Sequence, residues 1–260
     1  MTKISLPHAW SVTRRNAAMY RRTWLLSILP NFFEPVFYLW SIGLGVGAYV
    51  SEMRGMSYVE FLVPGLICVS AMNGSSFEAT YNVYVRMTYE KAYSSMLTTP
   101  VEPDDILFGE TAWALLRACM YGCSFLVVTM LFGLASPLQA LRVLPIIPLS
   151  GLLFAGLGLA FTLRVGNIDL FSYYFTMFLT PLFLFSDVFF PLEERLHGSW
   201  LRLAEALPLL HPVRLARFAF HGTINPASAR LALWDVAYTL GFSFGLLAWA
   251  RKLMRARLVA

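Results

Sequence analysis

The chain has 260 residues, of which 58% are hydrophobic and only 13% are charged, and its mean hydropathy is +0.61. This composition excludes an ordinary water-soluble enzyme or binding domain and is typical of a protein built from membrane helices. The net charge of +5 lies mainly in two clusters near the chain ends. These are Lys3, Arg14, Arg15, Arg21 and Arg22, and Arg251, Lys252, Arg255 and Arg257. Basic clusters beside membrane spans set their orientation, so the charge indicates topology, and we expect no nucleic-acid partner.

Residues 8–24 are predicted to form an amphipathic helix that lies on the membrane surface. With 3.6 residues per turn, Arg15 and Arg22 point to one side of this helix. The opposite face carries Trp10, Thr13, Ala17, Tyr20 and Trp24. Aromatic rings toward lipid and arginines toward phosphate groups are typical of an interfacial helix.

Six apolar segments with few charged residues follow. A helix needs roughly 20 mostly apolar residues to cross a hydrocarbon core of about 30 Å. The segments that fit are 27–50, 58–82, 110–134, 141–163, 170–190 and 231–250. The sequence therefore predicts an all-α integral membrane protein with six spans in a single transmembrane domain over residues 1–260. An even number of spans with basic residues at both ends predicts that both termini are cytoplasmic.

The second and third spans are joined by a charged link, residues 83–109, on the predicted cytoplasmic side. Prolines divide this link into a helical first part and a second helix. We expect the second helix to begin at Asp104 or Asp105, because aspartate is a preferred N-cap residue.

Residues 191–230 form the long outer link before the last span and predict two short amphipathic helices. The first has an apolar stripe made of Leu196, Trp200, Leu203 and Leu207. The second has an apolar face of Val213, Ala216 and Phe220, and a polar face of Arg214, Arg217 and His221. His211 is expected to cap the second helix. The two helices either lie on the membrane or re-enter it.

Glu34 is the one acidic residue inside the first predicted span. Ionisable groups within a membrane are costly and are therefore candidates for function. At 100° per residue, one face within about 80° carries several polar residues. These are Ser27, Asn31, Glu34, Tyr38 and Ser41. The stripe either lines a substrate path, makes hydrogen bonds between helices or lies near the lipid headgroups.

Glu78 lies near the cytoplasmic end of the second predicted span, with Ser75 and Asn82 on the same face. Two interpretations are open for this carboxylate. It pairs with Arg86 or Arg117 in a structural ion pair, or it forms part of the substrate path.

The sequence contains no recognised catalytic motif. GxSxG and HExxH do not occur, and none of the three lysines follows a glycine, so there is no phosphate-binding loop. Cys68, Cys119 and Cys123 are expected to be packing residues, and we expect no metal site. Gly241 and Gly245 have the four-residue spacing that permits close contact between membrane helices.

Five segments, taken in order, are similar to the permeases of the ABC-2 type transporter family. They are "NFFEPVFYLWSIGLGVG" at 31–47, "YVEFLVPGLICVSAMNGSSFEATYNVYVRM" at 58–87, "GETAWALLRA" at 109–118, "TPLFLFSDVFFPLEE" at 180–194 and "LPLLHPVRLAR" at 207–217. Within that family the chain resembles in particular the permeases that export nodulation factors, which are lipo-oligosaccharides.

The resemblance implies a permease in the bacterial inner membrane that forms a homodimer and binds two cytoplasmic P-loop ATPase subunits. ATP and Mg²⁺ would be bound by those subunits, and this chain would hold no cofactor. The 83–105 part of the link would contain the coupling helix that contacts the ATPase. Its candidate contacts are Arg86, Tyr89, Glu90, Lys91, Tyr93 and Met96.

The resemblance also implies that substrate passes between the two copies of spans one, two and five. Candidate residues along this path are Asn31, Glu34, Tyr38, Glu78, Tyr81 and Tyr174. The implied function is ATP-driven export of an amphiphile, such as a glycolipid or lipo-oligosaccharide, from the cytoplasm or inner leaflet. A drug or antibiotic efflux permease of the same architecture is an alternative. A membrane enzyme acting on lipid-linked substrates is another, and would need polar groups such as Glu78, Arg117 and Asp187 to converge.

Overall fold

The computed structural model describes residues 4–50, 52–53, 55–192, 197–222 and 226–259. Nearly all of its regular structure is helical, which confirms the all-α class. One small hairpin pairs strands β1 (Glu52–Met53) and β2 (Met56–Ser57) in antiparallel register, with Met53 opposite Met56. The predicted outer link includes residues 193–196 and 223–225, so Leu196 of the predicted apolar stripe lies outside the described residues.

The helices are numbered here in chain order. They are α1 (Leu6–Tyr20), α2 (Trp24–Leu44), α3 (Tyr58–Phe77), α4 (Ala92–Met96), α5 (Pro103–Leu131), α6 (Pro137–Val143), α7 (Ile146–Thr162), α8 (Leu170–Tyr173), α9 (Thr180–Leu184), α10 (Ser199–Glu205), α11 (Leu210–His221) and α12 (Pro226–Val259). Wider π-helical turns at Glu78–Asn82 and Val85–Tyr89 extend α3, and another at Tyr174–Leu179 joins α8 to α9.

Five helical stretches of the described chain are long and apolar enough to cross a membrane. They are 24–44, 58–89, 103–131, 137–162 and 229–258. The predicted span 170–190 is helical only over Leu170–Leu184, which gives about 22 Å at 1.5 Å per residue. Four of the six residues from 185 to 190 are apolar, but Asp187 has a φ of 61°, which a right-handed helix does not permit. The count of six full spans therefore stays a prediction.

Helix α5 begins earlier than the predicted third span and is capped by Glu102. The Asp105 carboxylate accepts a hydrogen bond from the Glu102 backbone N–H at 3.1 Å. The prediction that Asp104 or Asp105 is the N-cap was wrong. Pro103 occupies the first helical position, where its missing N–H costs nothing, so the cap is the residue before it.

Helices α3, α5 and α7 pack together in the centre, and α12 packs on α7. Small residues allow this close approach. A Cβ atom placed on Gly151 or Gly158 of α7 would lie 2.4 or 2.7 Å from an alanine Cβ of α5 or of the turn after α3. By contrast, a Cβ placed on Gly241 or Gly245 meets no described atom within 4 Å apart from the backbone of its own helix and its immediate chain neighbours. The glycine spacing in α12 therefore does not produce a contact within this chain.

The predicted N-terminal helix is present as α1, and it packs along α5. Its buried face consists of Ala9, Val12, Thr13 and Asn16. Thr13 donates a hydrogen bond to the Gly109 carbonyl at 3.0 Å, whereas Trp10 is 62% exposed. The prediction that Thr13 and Trp10 share a lipid-facing side was wrong for Thr13, because Gly109 has no side chain and admits α1 close to α5.

Candidate functional site

A cavity of about 230 Å³ lies between α2, α3, α5 and the α8–α9 segment, and we call it the central cavity. Its apolar wall consists of Leu66, Val69, Met72, Phe125, Phe175, Leu179 and Phe183. Its polar groups are Glu34, Tyr38, Ser70, Asn73, Thr176 and Thr180. A mostly apolar wall with a few convergent polar groups is typical of a site for an amphipathic small molecule.

Two of the six predicted path residues line the central cavity, and the rings of Tyr81 and Tyr174 contact its wall residue Phe175. Glu34 and Tyr38 of α2 line it directly. Tyr81 stacks on Phe175, a wall residue, with ring centroids 5.7 Å apart. The first, second and fifth predicted spans therefore contribute side chains to one cavity.

The central cavity is not lined by Asn31, Tyr174 or Glu78. Asn31 is 2% exposed, and its side-chain amide has no hydrogen-bond partner among the described residues. Tyr174 is buried in the core, where its hydroxyl lies 3.5 Å from that of Ser76. Glu78 belongs to a separate group of charged side chains.

That group, which we call the ionic cluster, consists of Glu78, Arg86, Glu110 and Arg117, and all four are buried. Nη2 of Arg86 donates to Glu78 at 2.8 Å and to Glu110 at 2.7 Å. Nε of Arg117 lies 3.5 Å from Glu78. The structural ion pair considered for Glu78 is therefore present.

The ionic cluster joins three helices. Its residues come from the π-helical extension of α3 and from α5, and Asn16 of α1 donates to Glu110 at 3.0 Å. Asn82 donates to Glu78 at 2.8 Å. Two carboxylates and two guanidinium groups balance in charge, which is the condition under which buried ions are tolerated.

The predicted coupling residues divide into buried and exposed sets. Arg86 belongs to the ionic cluster, and Tyr93 is fully buried. Tyr89, Glu90 and Lys91 are exposed at the turn between the α3 extension and α4, where Lys91 has a φ of 51°. Glu90 pairs with Arg15 of α1 at 3.3 Å, and Met96 at the end of α4 is partly buried. Of the six predicted coupling residues, Tyr89, Glu90 and Lys91 are the exposed ones.

The start of α5 connects α1 to the end of α12. Asp104 accepts hydrogen bonds from Nε of Arg251 at 2.9 Å and Nε of Arg255 at 2.7 Å. Asp105 accepts from the backbone N–H of Ser5 at 2.8 Å. Two arginines of the C-terminal basic cluster thus bind a buried carboxylate.

A second group of charged residues surrounds α11, and the sequence did not predict that these residues pair with each other. His211 lies between Asp235 of α12, at 2.7 Å, and the Glu205 carbonyl, at 3.0 Å. The N-cap of α11 is Leu209, so the prediction that His211 caps this helix was wrong. Asp235, an isolated carboxylate beside the last apolar segment, was the signal that a buried partner exists.

Arg217 of α11 was predicted to lie on a polar face but is buried. It binds the carboxylate and the backbone carbonyl of Asp187 and lies 4.0 Å from the centre of the Phe61 ring.

Burial lowers the pKa of His221 on the same helix, so its imidazole is neutral at neutral pH. Asp187 is thus engaged by α11, while Glu78 and Arg117 belong to the ionic cluster. Asp187 therefore does not join Glu78 and Arg117, as the enzyme interpretation required.

The sequence model of the ABC-2 type transporter family matches residues 7–221, from the beginning of α1 to the end of α11. The chain belongs to the ABC-2 type transporter family. The resemblance seen in the sequence is thereby confirmed, and the permease is the membrane subunit of a transporter.

Relatives of the permease match over most of its length. Nodulation protein J of Rhizobium leguminosarum bv. viciae is 36% identical over 80% of both chains. Nodulation protein J of Bradyrhizobium diazoefficiens is 31% identical over 94% of both chains. The inner membrane transport permease YadH of Escherichia coli is 23% identical over 92% of both chains.

Proposed function

We propose that this permease exports a glycolipid or lipo-oligosaccharide from the cytoplasm or inner leaflet of a bacterial inner membrane. It works as a homodimer with two copies of a separate cytoplasmic P-loop ATPase, which binds ATP and Mg²⁺. Both termini lie in the cytoplasm. The observation that carries the proposal is the match to nodulation protein J over 80–94% of the chain. These relatives favour a lipo-oligosaccharide cargo over drug efflux.

The central cavity supports this function on physical grounds. An amphiphile with a polar head needs a route with aromatic walls and a few polar groups. Phe125, Phe175 and Phe183 provide the aromatic surface, and Glu34 and Tyr38 provide the polar groups. The route thus uses the surfaces of α2, α3 and the α8–α9 segment, and a second copy of the permease closes it.

Co-expression with the neighbouring genes and purification in mild detergent test this proposal. The expected result is a stable complex with a P-loop ATPase that hydrolyses ATP in a vanadate-sensitive reaction. Reconstituted in liposomes, this complex should move a fluorescent lipo-oligosaccharide in the presence of ATP. A permease that purifies alone and does not transport with any co-expressed ATPase would contradict the proposal.

Replacing Glu34 by glutamine should slow export about tenfold without disrupting the complex. The substitution keeps the size of the side chain and removes the charged acceptor from the central cavity, and hydrogen bonds to charged groups contribute about 1.5–3 kcal/mol. Export is measured in proteoliposomes, and Glu52→Gln in the exposed hairpin serves as the control. Equal export by the Glu34 variant and the control would make Glu34 a packing residue.

Reversing the charges of Glu90 and Lys91 together should uncouple ATP hydrolysis from export. The amount of substrate moved per ATP should fall about fivefold or more, because like charges placed opposite each other at an interface are strongly unfavourable. The change also breaks the contact between Glu90 and Arg15. Adding Arg15→Glu restores that contact, so recovery in the triple variant would assign the defect to α1 and not to the ATPase.

A further inference from the structure

A second cavity, of about 500 Å³, lies where α1, the start of α2, the end of α3 and the first half of α5 meet. We call it the Arg117 cavity. Its polar and aromatic lining includes Asn16, Tyr20, Glu78, Asn82, Trp113 and Arg117. It is larger than the central cavity, and its lining includes Glu78 of the predicted path and Arg86 and Glu90 of the predicted coupling residues.

Arg117 is held in an unusual environment in the wall of this cavity. Its side chain is 7% exposed, and its guanidinium group lies 4.5 Å from the Tyr20 ring centre and 5.2 Å from that of Tyr121. Its Nε lies 3.5 Å from Glu78, which is too far for a good hydrogen bond, and has no hydrogen-bond partner among the described residues. The Tyr20 hydroxyl also has no partner in the described part of the chain. Unpaired buried donors are costly, so a ligand that supplies acceptors would complete this site.

The balance of charges in the wall of the Arg117 cavity indicates whether its ligand is charged. Each carboxylate of the ionic cluster is balanced by a guanidinium group, and Glu90 is paired with Arg15. An added anion would leave a net charge in a buried site, whereas an uncharged group with hydroxyls both donates and accepts without one. Sugar rings have such hydroxyls, and their apolar faces pack on aromatic rings such as those of Tyr20 and Trp113.

The remaining wall of the Arg117 cavity suits a hydrocarbon chain. Leu26, Pro30 and Phe77 form this apolar part. On each of three helices, one residue lines the Arg117 cavity and another, four positions away, lines the central cavity. Four residues correspond to about 6 Å along the helix axis. The pairs are Pro30 and Glu34 on α2, Phe77 and Asn73 on α3, and Tyr121 and Phe125 on α5. The two cavities therefore lie in series along the same helices.

We propose that the Arg117 cavity is the entry site for the uncharged sugar headgroup of the exported amphiphile, and that Arg117 determines its selectivity. The inference rests on the proposed export function and adds a first binding position. The headgroup binds beside Arg117, Tyr20 and Trp113, and its chain follows the apolar wall. It then moves one helical turn along α2, α3 and α5 into the central cavity.

The test uses the permease–ATPase complex in lipid nanodiscs and two single-chain probes with the same alkyl tail. One probe has an uncharged oligosaccharide headgroup with a photoreactive diazirine on the sugar, and the other has a phosphate headgroup. The sugar probe should cross-link to peptides of α1 and α5 that contain Tyr20 and Trp113. Arg117→Gln should raise its half-saturating concentration about tenfold.

Tyr20→Phe provides a variant that should fold normally, because the hydroxyl it removes has no hydrogen-bond partner among the described residues. We expect it to weaken binding of the sugar probe about threefold. Arg164→Gln is the control, since Arg164 lies 5.9 Å from the Trp249 ring in a different cavity. That control should leave the half-saturating concentration unchanged.

Three results would overturn the inference, and they can be told apart. Cross-links confined to the central cavity, with unchanged binding by the Arg117 and Tyr20 variants, would remove the entry site while ATP-driven export continues. Tighter binding of the phosphate probe than of the sugar probe would exclude an uncharged headgroup. Absence of binding and export for both probes in the unmodified complex would contradict the proposed function as well.

Discussion

Replacing Arg86 by leucine is expected to lower the free energy of unfolding by about 3–5 kcal/mol, because it leaves two buried carboxylates with too few partners. Glu78 and Glu110 are 2% and 0% exposed, and Arg86 bonds to both. Arg117 alone, 3.5 Å from Glu78, cannot replace it. The measurement is the unfolding free energy of the purified permease in mixed micelles, together with the yield of folded protein.

The pair formed by Arg15 and Glu90 provides the matched control. Its side chains are 34% and 37% exposed, and exposed pairs contribute roughly 0–1 kcal/mol. Arg15→Leu should therefore leave the unfolding free energy nearly unchanged. Similar losses for the two variants would mean that burial of the ionic cluster does not determine its contribution.

Replacing Gly109 by alanine should displace α1 from α5 and destabilise the permease by about 1–3 kcal/mol, the usual cost of overpacking. The added Cβ would lie 2.6 Å from both the Ala9 carbonyl oxygen and the Val12 Cβ. Backbone atoms of α1 cannot move aside unless the whole helix shifts. That shift would also weaken the hydrogen bond from Thr13 to the Gly109 carbonyl.

The change is measured as the thermal unfolding midpoint and as the rate of protease cleavage within residues 6–20. Gly241→Ala is the control, because its added Cβ meets no described atom within 4 Å apart from the backbone of its own helix and its immediate chain neighbours. Alanine favours helix over glycine by about 1 kcal/mol, so the control should be neutral or slightly stabilising. A stabilising effect at both positions would show that α1 is not held in the close contact seen here.

The general architecture of the permease could be predicted from its sequence. Long uncharged segments predict membrane helices, because the thickness of the bilayer fixes the number of apolar residues that every span needs. The 170–190 segment met that requirement by composition, yet its helix ends at Leu184. Apolar composition indicates that a segment can lie within a membrane, but it does not determine the backbone φ angle at Asp187.

The candidate sites were only partly predictable. The polar face of α2 placed Glu34 and Tyr38 together, because a helix fixes the angular spacing of its own residues. Which other helices meet that face depends on contacts between distant parts of the chain. The same limitation applies to Asp235 and His211, which are 24 residues apart in sequence and 2.7 Å apart in space.

The sequence alone therefore determined the class of protein, most of the helical segments, the charged link and the family. Each of these is set by local composition or by an ordered series of short segments. Only the tertiary structure decided that Arg86 and Arg117 share Glu78, that Gly109 admits α1, and that two cavities follow the same three helices. These features require side chains from distant segments to meet, and their geometry arises from the packing of whole helices.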